Sequence, residues 1–276
     1  MSSSTKIAIA DLHITDDHFL DLHEQSLLDK KPDESFQLFV NHTSSTAQCQ
    51  IYRRPAKVAS NPNLYEYLTI GTWSGLNPEL LFLATLDHEH RKTWDETVAQ
   101  CEVIESHRPG DDHSPTDLIY WVTKCPFPLS NRDFVYCRRG VVVGDDFYVV
   151  SRHAEHPSKP VKSSPVRVTP MTMAMVMRGV GSDTRFAILY SDDFGGSIPT
   201  AILNMAASKL IPSGIEQTYA KAKLYPADRT PKQRALHTSK LAPRSRSAST
   251  ASTAATADAE ADTSAPATAD AQLTPQ

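Results

Sequence analysis

The sequence predicts an α+β fold: a long antiparallel meander, interrupted by a short helical pair and closed by a C-terminal helix. Three observations carry this reading. Short runs in which apolar and polar residues alternate recur from Phe36 to Tyr190, the period of half-buried antiparallel strands. Proline, glycine and short polar residues punctuate these runs at close intervals, as turns require. Helical spacing of apolar residues is confined to a stretch near residue 20, another near residue 80 and a last one after Gly195-Gly196. Strands grouped together with helices set apart from them mark an α+β architecture.

Residues 16–30 place Phe19, Leu20, Leu22, Leu27 and Leu28 at near-helical spacing, with Thr15 or Asp16 as cap and Pro32 as the stop. Residues 36–41, 48–52 and 64–73 read as three strands. Asn77-Pro78-Glu79 then opens a helix through Leu80, Leu81, Leu83 and Leu86, because Asn caps well and Pro fits the first turn. Further strands are predicted near 98–106, 117–124, 133–143, 146–152, 164–178 and 184–191. A doubled proline, Pro126 and Pro128, separates the second and third of these and must form a corner, since Pro has no amide to give to a ladder. Ser130-Asn131-Arg132-Asp133 shapes that corner, with Arg132 expected to pair with a nearby acid. The last helix spans 197 to about 224, capped by Ser197. Ile198, Ile202, Leu203, Met205, Ala206 and Leu210 form its apolar stripe, and Pro212 is expected to kink it.

Composition divides the 276 residues into an extension at 1–15, one domain at 16–225 and a tail at 226–276. The tail is dominated by Ala, Ser, Thr and Pro and is expected to be disordered, because it buries too little apolar surface to offset its chain entropy. The net charge of −4 conceals a split: residues 229–246 hold six bases and no acid, and residues 247–276 hold four acids and no base. Such a basic block either touches anionic lipid transiently or serves as a solvated linker. Cys49, Cys101, Cys125 and Cys137 lack metal or redox spacing and read as free thiols in a reducing compartment. No leader-like run opens the chain, no stretch approaches the ~20 apolar residues of a membrane span, and Ser2 excludes myristoylation. A cytoplasmic monomer, peripheral at membranes and without nucleic acid as partner, is expected.

The most specific stretch is Tyr120-Trp121-Val122-Thr123-Lys124-Cys125-Pro126-Phe127-Pro128-Leu129-Ser130-Asn131-Arg132-Asp133-Phe134-Val135-Tyr136. With Leu64-Tyr65-Glu66-Tyr67, His90-Arg91-Lys92-Thr93-Trp94-Asp95, Val166-Arg167-Val168 and Gly195-Gly196-Ser197-Ile198-Pro199, its word order resembles the START lipid-transfer family, and within it the phosphatidylcholine-transfer branch. The resemblance covers roughly residues 16 to 225. It implies a helix-grip fold, a curved antiparallel sheet around a C-terminal helix with an internal lipid cavity. It further implies a lipid-binding or lipid-transfer protein without cofactor or catalysis. The ligand expected is a phospholipid, with a sterol as the alternative.

The resemblance also assigns residues. Arg91 stands where the branch places the arginine that holds the lipid phosphate, a role suited to a planar guanidinium fork. A structural pair with Asp95, one helical turn on, is the competing role, and the two are compatible. Trp121 matches one member of the aromatic cage for choline, whose quaternary ammonium needs ring faces. The two cage tyrosines fall on Phe134 and Met171, a polar phosphate-assisting residue on Met173, and a tyrosine near the head group on Thr85. Met171, Met173, Met175 and Met177 recur at a spacing of two, so one strand face carries all four. Because the family's cavity positions map to Met171 and Met173, that face, Met175 included, is expected to line the cavity with adaptable thioethers.

Other classes are weaker. Asp87-His88-Glu89-His90 suggests a metal, but side chains two apart on a helix splay by about 200°. His153 and His156 lack a third ligand. No nucleophile, base and oxyanion donor can be assembled from spacing. A lipid sensor acting through its tail, binding without exchange, is the remaining alternative.

Overall fold

Residues 132–143 form a strand buried at every position, which requires cover on both faces of the sheet that contains it. The computed structural model describes residues 14–56, 64–108, 110, 113–125, 127, 129–195 and 200–244. In chain order these form α1 (Asp16–Gln25), β1 (Gln37–Thr43), β2 (Ala47–Pro55), β3 (Tyr65–Trp73), α2 (Pro78–Leu86) and α3 (His88–Lys92). Then come β4 (Val98–His107), β5 (Thr116–Thr123), β6 (Arg132–Val143), β7 (Asp146–His153), β8 (Val166–Arg167), β9 (Met171–Val180) and β10 (Asp183–Asp192). The last elements are α4 (Thr200–Lys223), α5 (Thr230–His237) and β11 (Lys240–Leu241).

The strands make one curved sheet in the order β1-β2-β3-β10-β9-β7-β6-β5-β4. Its main pairings are antiparallel; β8 and β11 add short parallel pairings to β6. The sheet does not close into a barrel, as β1 and β4 remain its two ends. On one face α1 buries Phe19 among Leu118, Val135, Cys137 and Val141. On the other, α2 sets Leu81, Phe82 and Leu86 against Trp73, Met175, Met177 and Phe186. Asn77 caps α2 as expected, its side chain accepting from the Glu79 amide at 2.8 Å. The approach of α2 to β6 is close: a Cβ at Gly140 would stand 2.5 Å from Leu86 Cδ1 and 2.8 Å from Phe82 Cε2.

Several expectations are corrected. α1 ends at Gln25, ahead of Pro32, because Ser26 turns the chain with a left-handed φ of 51°. The run 164–178 divides into β8 and β9 at Pro170, which has no amide for the ladder. Among the described residues Arg132 pairs with no acid but donates to the carbonyls of Ser130 and Phe194, while Asp133 takes a bidentate bond from Arg167 at 2.9 and 3.0 Å. The apolar stripe of α4 is not a buried face: Ile202, Met205 and Leu210 are 47%, 56% and 66% exposed. Apolar docking of α4 falls instead to Ile215 and Ala222 in its second half. Its first half meets β2 through Arg53 Nη1, which donates to Asn204 Oδ1 at 2.8 Å.

The expectation of an unstructured chain from residue 226 also fails over 230–241, where α5 and β11 lie. Basic residues anchor this segment to acids of α2 and its C-cap: Arg229 forks onto Asp87, both bonds 2.7 Å, and Arg234 forks onto Glu79 at 2.6 and 2.7 Å. His237 is buried, and β11 pairs with Val142–Val143. Two members of the basic block are thus spent on ion pairs within the domain. Expectations for residues 1–13, for Pro126 and Pro128, for Gly196, Ser197 and Ile198, and for the tail from 245 lie outside the described residues.

Among the described residues no helix is long and apolar enough to cross a membrane. Nor does any group of three His, Cys, Asp or Glu there have the arrangement of a metal site. The four cysteines are unpaired, and burial pushes the Cys137 thiol up to about 12 and that of Cys49 up to about 11.

Candidate functional site

The pleat of five strands builds a cleft on the inner face of the sheet. In β5 and β6 the register sets Trp121 opposite Phe134 and Ile119 opposite Tyr136. Two residues further on, Arg138 lies opposite Ser151 of β7, Ser151 opposite Met173 of β9, and Met173 opposite Tyr190 of β10. Successive strand positions of equal phase share a face, so this row of four crosses the floor of the cleft. Helix α3 brings Arg91 over the floor, and Phe194 closes one side with its ring edge-on to Phe134, centroids 6.5 Å apart. The volume enclosed is about 240 Å³.

Two guanidinium groups face this space. Arg91 Nε donates to Asp95 Oδ2 at 3.0 Å, and the guanidinium carbon lies 4.9 Å from the centroid of Trp121 and 5.3 Å from that of Trp94. Asp95 is in turn fixed by the amide and hydroxyl of Thr97, at 3.1 and 2.6 Å. Arg138 Nε donates to Ser151 Oγ and its Nη1 to the Thr85 carbonyl, each at 3.0 Å. The Tyr190 hydroxyl donates to Asp192. Asp192 is half-buried, and desolvation pushes its carboxyl up to about 7. Burial likewise raises the Tyr136 phenol, so it stays a neutral donor.

Of the residues singled out in the sequence, Arg91, Trp121, Phe134, Met171 and Met173 come together in this cleft. Two do not. Met175 is buried in the core with Trp73 and Phe186, because Leu81, Phe82 and Leu86 of α2 pack into the same cluster. The Thr85 hydroxyl is turned into its own helix, donating to the Leu81 carbonyl at 2.8 Å; it is the backbone oxygen of Thr85 that faces Arg138. The sequence reading missed Arg138, Ser151, Tyr190 and the inward turn of Phe194. Arg138 was within reach, since it keeps the phase of Phe134 and Tyr136 along β6. Ser151 and Tyr190 become cleft residues only through cross-strand register.

A family model described as START domain matches residues 25–227. The chain belongs to the START-domain family. This START chain is 32% identical over 206 residues to a phosphatidylcholine transfer protein of Rattus norvegicus, a match covering 73% of the chain and 90% of that protein. It is 33% identical over 176 residues to the mitochondrial StAR-related lipid transfer protein 7 of Mus musculus, covering 62% of the chain. The match spans only 45% of that mouse protein. The crystal structure of human STARD10 superposes with a TM-score of 0.64 at 19% identity, covering 84% of this chain and 93% of that one. Helix α5 and strand β11 lie beyond the end of the family match, yet within the compact unit that reaches Pro243.

Proposed function

We propose that this START domain is a lipid carrier that holds one phospholipid with its phosphate against Arg91 and exchanges it at membranes. The observation that supports this reading is the convergence of a guanidinium with an apolar wall of Trp121, Phe134, Met171 and Met173 in one cleft. A guanidinium beside ring and thioether surface offers a charged fork to a phosphate and apolar contact to the chain that follows. Each methylene withdrawn from water favours the bound state by about 0.8 kcal/mol. The cleft of about 240 Å³ is smaller than the ~300–1,000 Å³ usual for small-molecule sites, so acyl chains require it to widen. Helix α4, with Ile202, Met205 and Leu210 exposed along its first half, is the element to move, and a membrane surface is the medium that would receive those side chains.

A sterol is the second reading, favoured by methionine at one cage position, 171, and at the phosphate-assisting position, 173. Native mass spectrometry with lipid extraction, on the purified chain after exposure to a mixed-lipid extract, separates the two. One phospholipid per chain is expected. A sterol would shift the assignment, and an empty protein would overturn the carrier reading. Exchange between vesicles separates a carrier from a sensor, which binds but scarcely exchanges.

A further inference from the structure

Arg138 is a buried cation whose guanidinium forms no ion pair among the described residues. It is 9% exposed and faces the cleft. Ser151 and the Thr85 carbonyl fix two of its nitrogens and leave Nη2 without a partner there. Asp117 lies opposite it in register and accepts from Ser106 Oγ at 2.6 Å; it acts on Arg138 as a neighbouring charge, without an ion pair. His88, close by, is held well below its usual imidazole range by burial and by the Arg138 guanidinium, so it adds no charge of either sign. Arg91, by contrast, has Asp95 at 3.0 Å. The cleft therefore presents two guanidinium groups, of which only Arg91 has a carboxylate in direct ion pair. Burying an unpaired cation is costly unless an anion completes it.

A second observation points the same way. A quaternary ammonium is held by ring faces, and two of the five aromatic rings lining the cleft already carry a guanidinium, Arg91 at 4.9 Å from the Trp121 centroid and Arg138 at 5.1 Å from that of Tyr136. A choline would compete with a resident cation for those two rings, whereas an anionic oxygen would meet both guanidinium groups.

We infer that Arg138 and Arg91 together hold the head of a glycerophospholipid with net negative charge, in preference to phosphatidylcholine. This rests on the carrier reading above and specifies its ligand class. The row from Ser151 to the Thr85 carbonyl orients the Arg138 fork, and Arg91 supplies the second cation.

The test loads the purified full chain from vesicles with equal parts dioleoyl phosphatidylcholine, phosphatidylglycerol and phosphatidic acid, then extracts the bound lipid for mass spectrometry. The wild-type chain is expected to hold the two anionic lipids over phosphatidylcholine by ~tenfold or more, the scale of one charge-assisted hydrogen bond. Arg138→Met should bring that ratio near parity by lowering uptake of the anionic lipids more than that of phosphatidylcholine. Arg138→Lys, which keeps the charge, should retain most of the preference. Wild-type parity, an excess of phosphatidylcholine, or equal loss of every lipid in Arg138→Met would overturn the inference. A chain that takes up no lipid at all would defeat the carrier reading instead. Where Arg138→Met does not fold, Ser151→Ala is read in its place; it removes the Nε anchor and should lower the ratio by about threefold. Glycerol phosphate offered alone distinguishes a free anion from a lipid head. A melting shift equal to that given by phosphatidic acid, with no lipid extracted, would overturn the lipid assignment.

Discussion

The guanidinium carbon of Arg91 lies 4.9 Å from the ring centroid of Trp121 while its Nε is bonded to Asp95 at 3.0 Å. One side chain thus pairs with an acid and faces the cleft, so the structural role foreseen for Arg91 leaves room for the phosphate role proposed for it. A ring face with a cation over it is a poorer receptor for a second cation, and a guanidinium held by a carboxylate and two rings is pre-organised for an incoming anion.

Replacing Arg91 tests that geometry. Arg91→Ala is expected to lower phospholipid loading by ~tenfold or more and to leave sterol loading near wild type. The substitution strands Asp95, 5% exposed in its side chain, so Arg91→Ala is paired with Asp95→Asn to remove the orphaned charge. Equal loss of both lipids, cured by the double variant, would mean that Arg91 serves the fold and not the ligand.

The segment past the family boundary is predicted to stabilise the domain. Burial works against the charge of Asp87, but bonds from Arg229, the His90 amide and the Tyr225 hydroxyl hold its carboxyl below the usual range. Arg229→Ala leaves that carboxylate, 1% exposed, with the Tyr225 and His90 bonds only. A loss of about 3 kcal/mol is expected, at the lower end for a buried pair because Arg229 itself is 35% exposed. Chemical denaturation measures it, and a change under about 0.5 kcal/mol would show that α5 contributes little.

His237 makes the same segment sensitive to acid. Burial, reinforced by Arg108, lowers its imidazole to about 4, below the unfolded value of ~6.5. The unfolded chain therefore binds more protons between those values, and stability is expected to fall as pH drops from about 6.5 to about 4, by up to ~3 kcal/mol from this residue. Asp192, raised to about 7 by desolvation, acts in the opposite sense, costing stability as pH rises through that range. The comparison is thus between wild type and His237→Asn across the pH series. A slope that the substitution leaves unchanged would remove His237 from the account.

Gly140 fixes the distance between α2 and β6. Gly140→Ala places a methyl carbon within 3 Å of Leu86 and of Phe82, both buried. An overpacking cost of about 1–3 kcal/mol is expected. Because α2 also carries the carbonyl that holds Arg138, lipid loading should change with it. A melting temperature equal to wild type would show that the two side chains yield freely.

Local chemistry explains what was legible in advance. Alternation marked the strands, Asn77-Pro78 marked the start of α2, and the residue words around Arg91 and Trp121 marked the family, since each signal lies within a few neighbouring residues. The tail was misjudged for a physical reason. Residues 230–241 bury little apolar surface of their own, and their order comes from Asp87, Glu79 and the end of β6, all distant in sequence. The first half of α4 carries an apolar stripe, but only docking decides whether such a stripe is covered, and Ile215 and Ala222 take that place.

By itself, then, the sequence determined the order of elements, the family and five of the residues that meet in the cleft, because period and motif are local properties of the chain. The tertiary structure alone decided that Met175 belongs to the core and Met173 to the cleft, and that Arg138 lies there with no ion pair among the described residues. It also decided that the Trp121 ring is shared with Arg91. Those outcomes depend on sheet curvature, cross-strand register and the seating of α2 and α3, which bring together residues tens of positions apart and leave no trace in any short window of sequence.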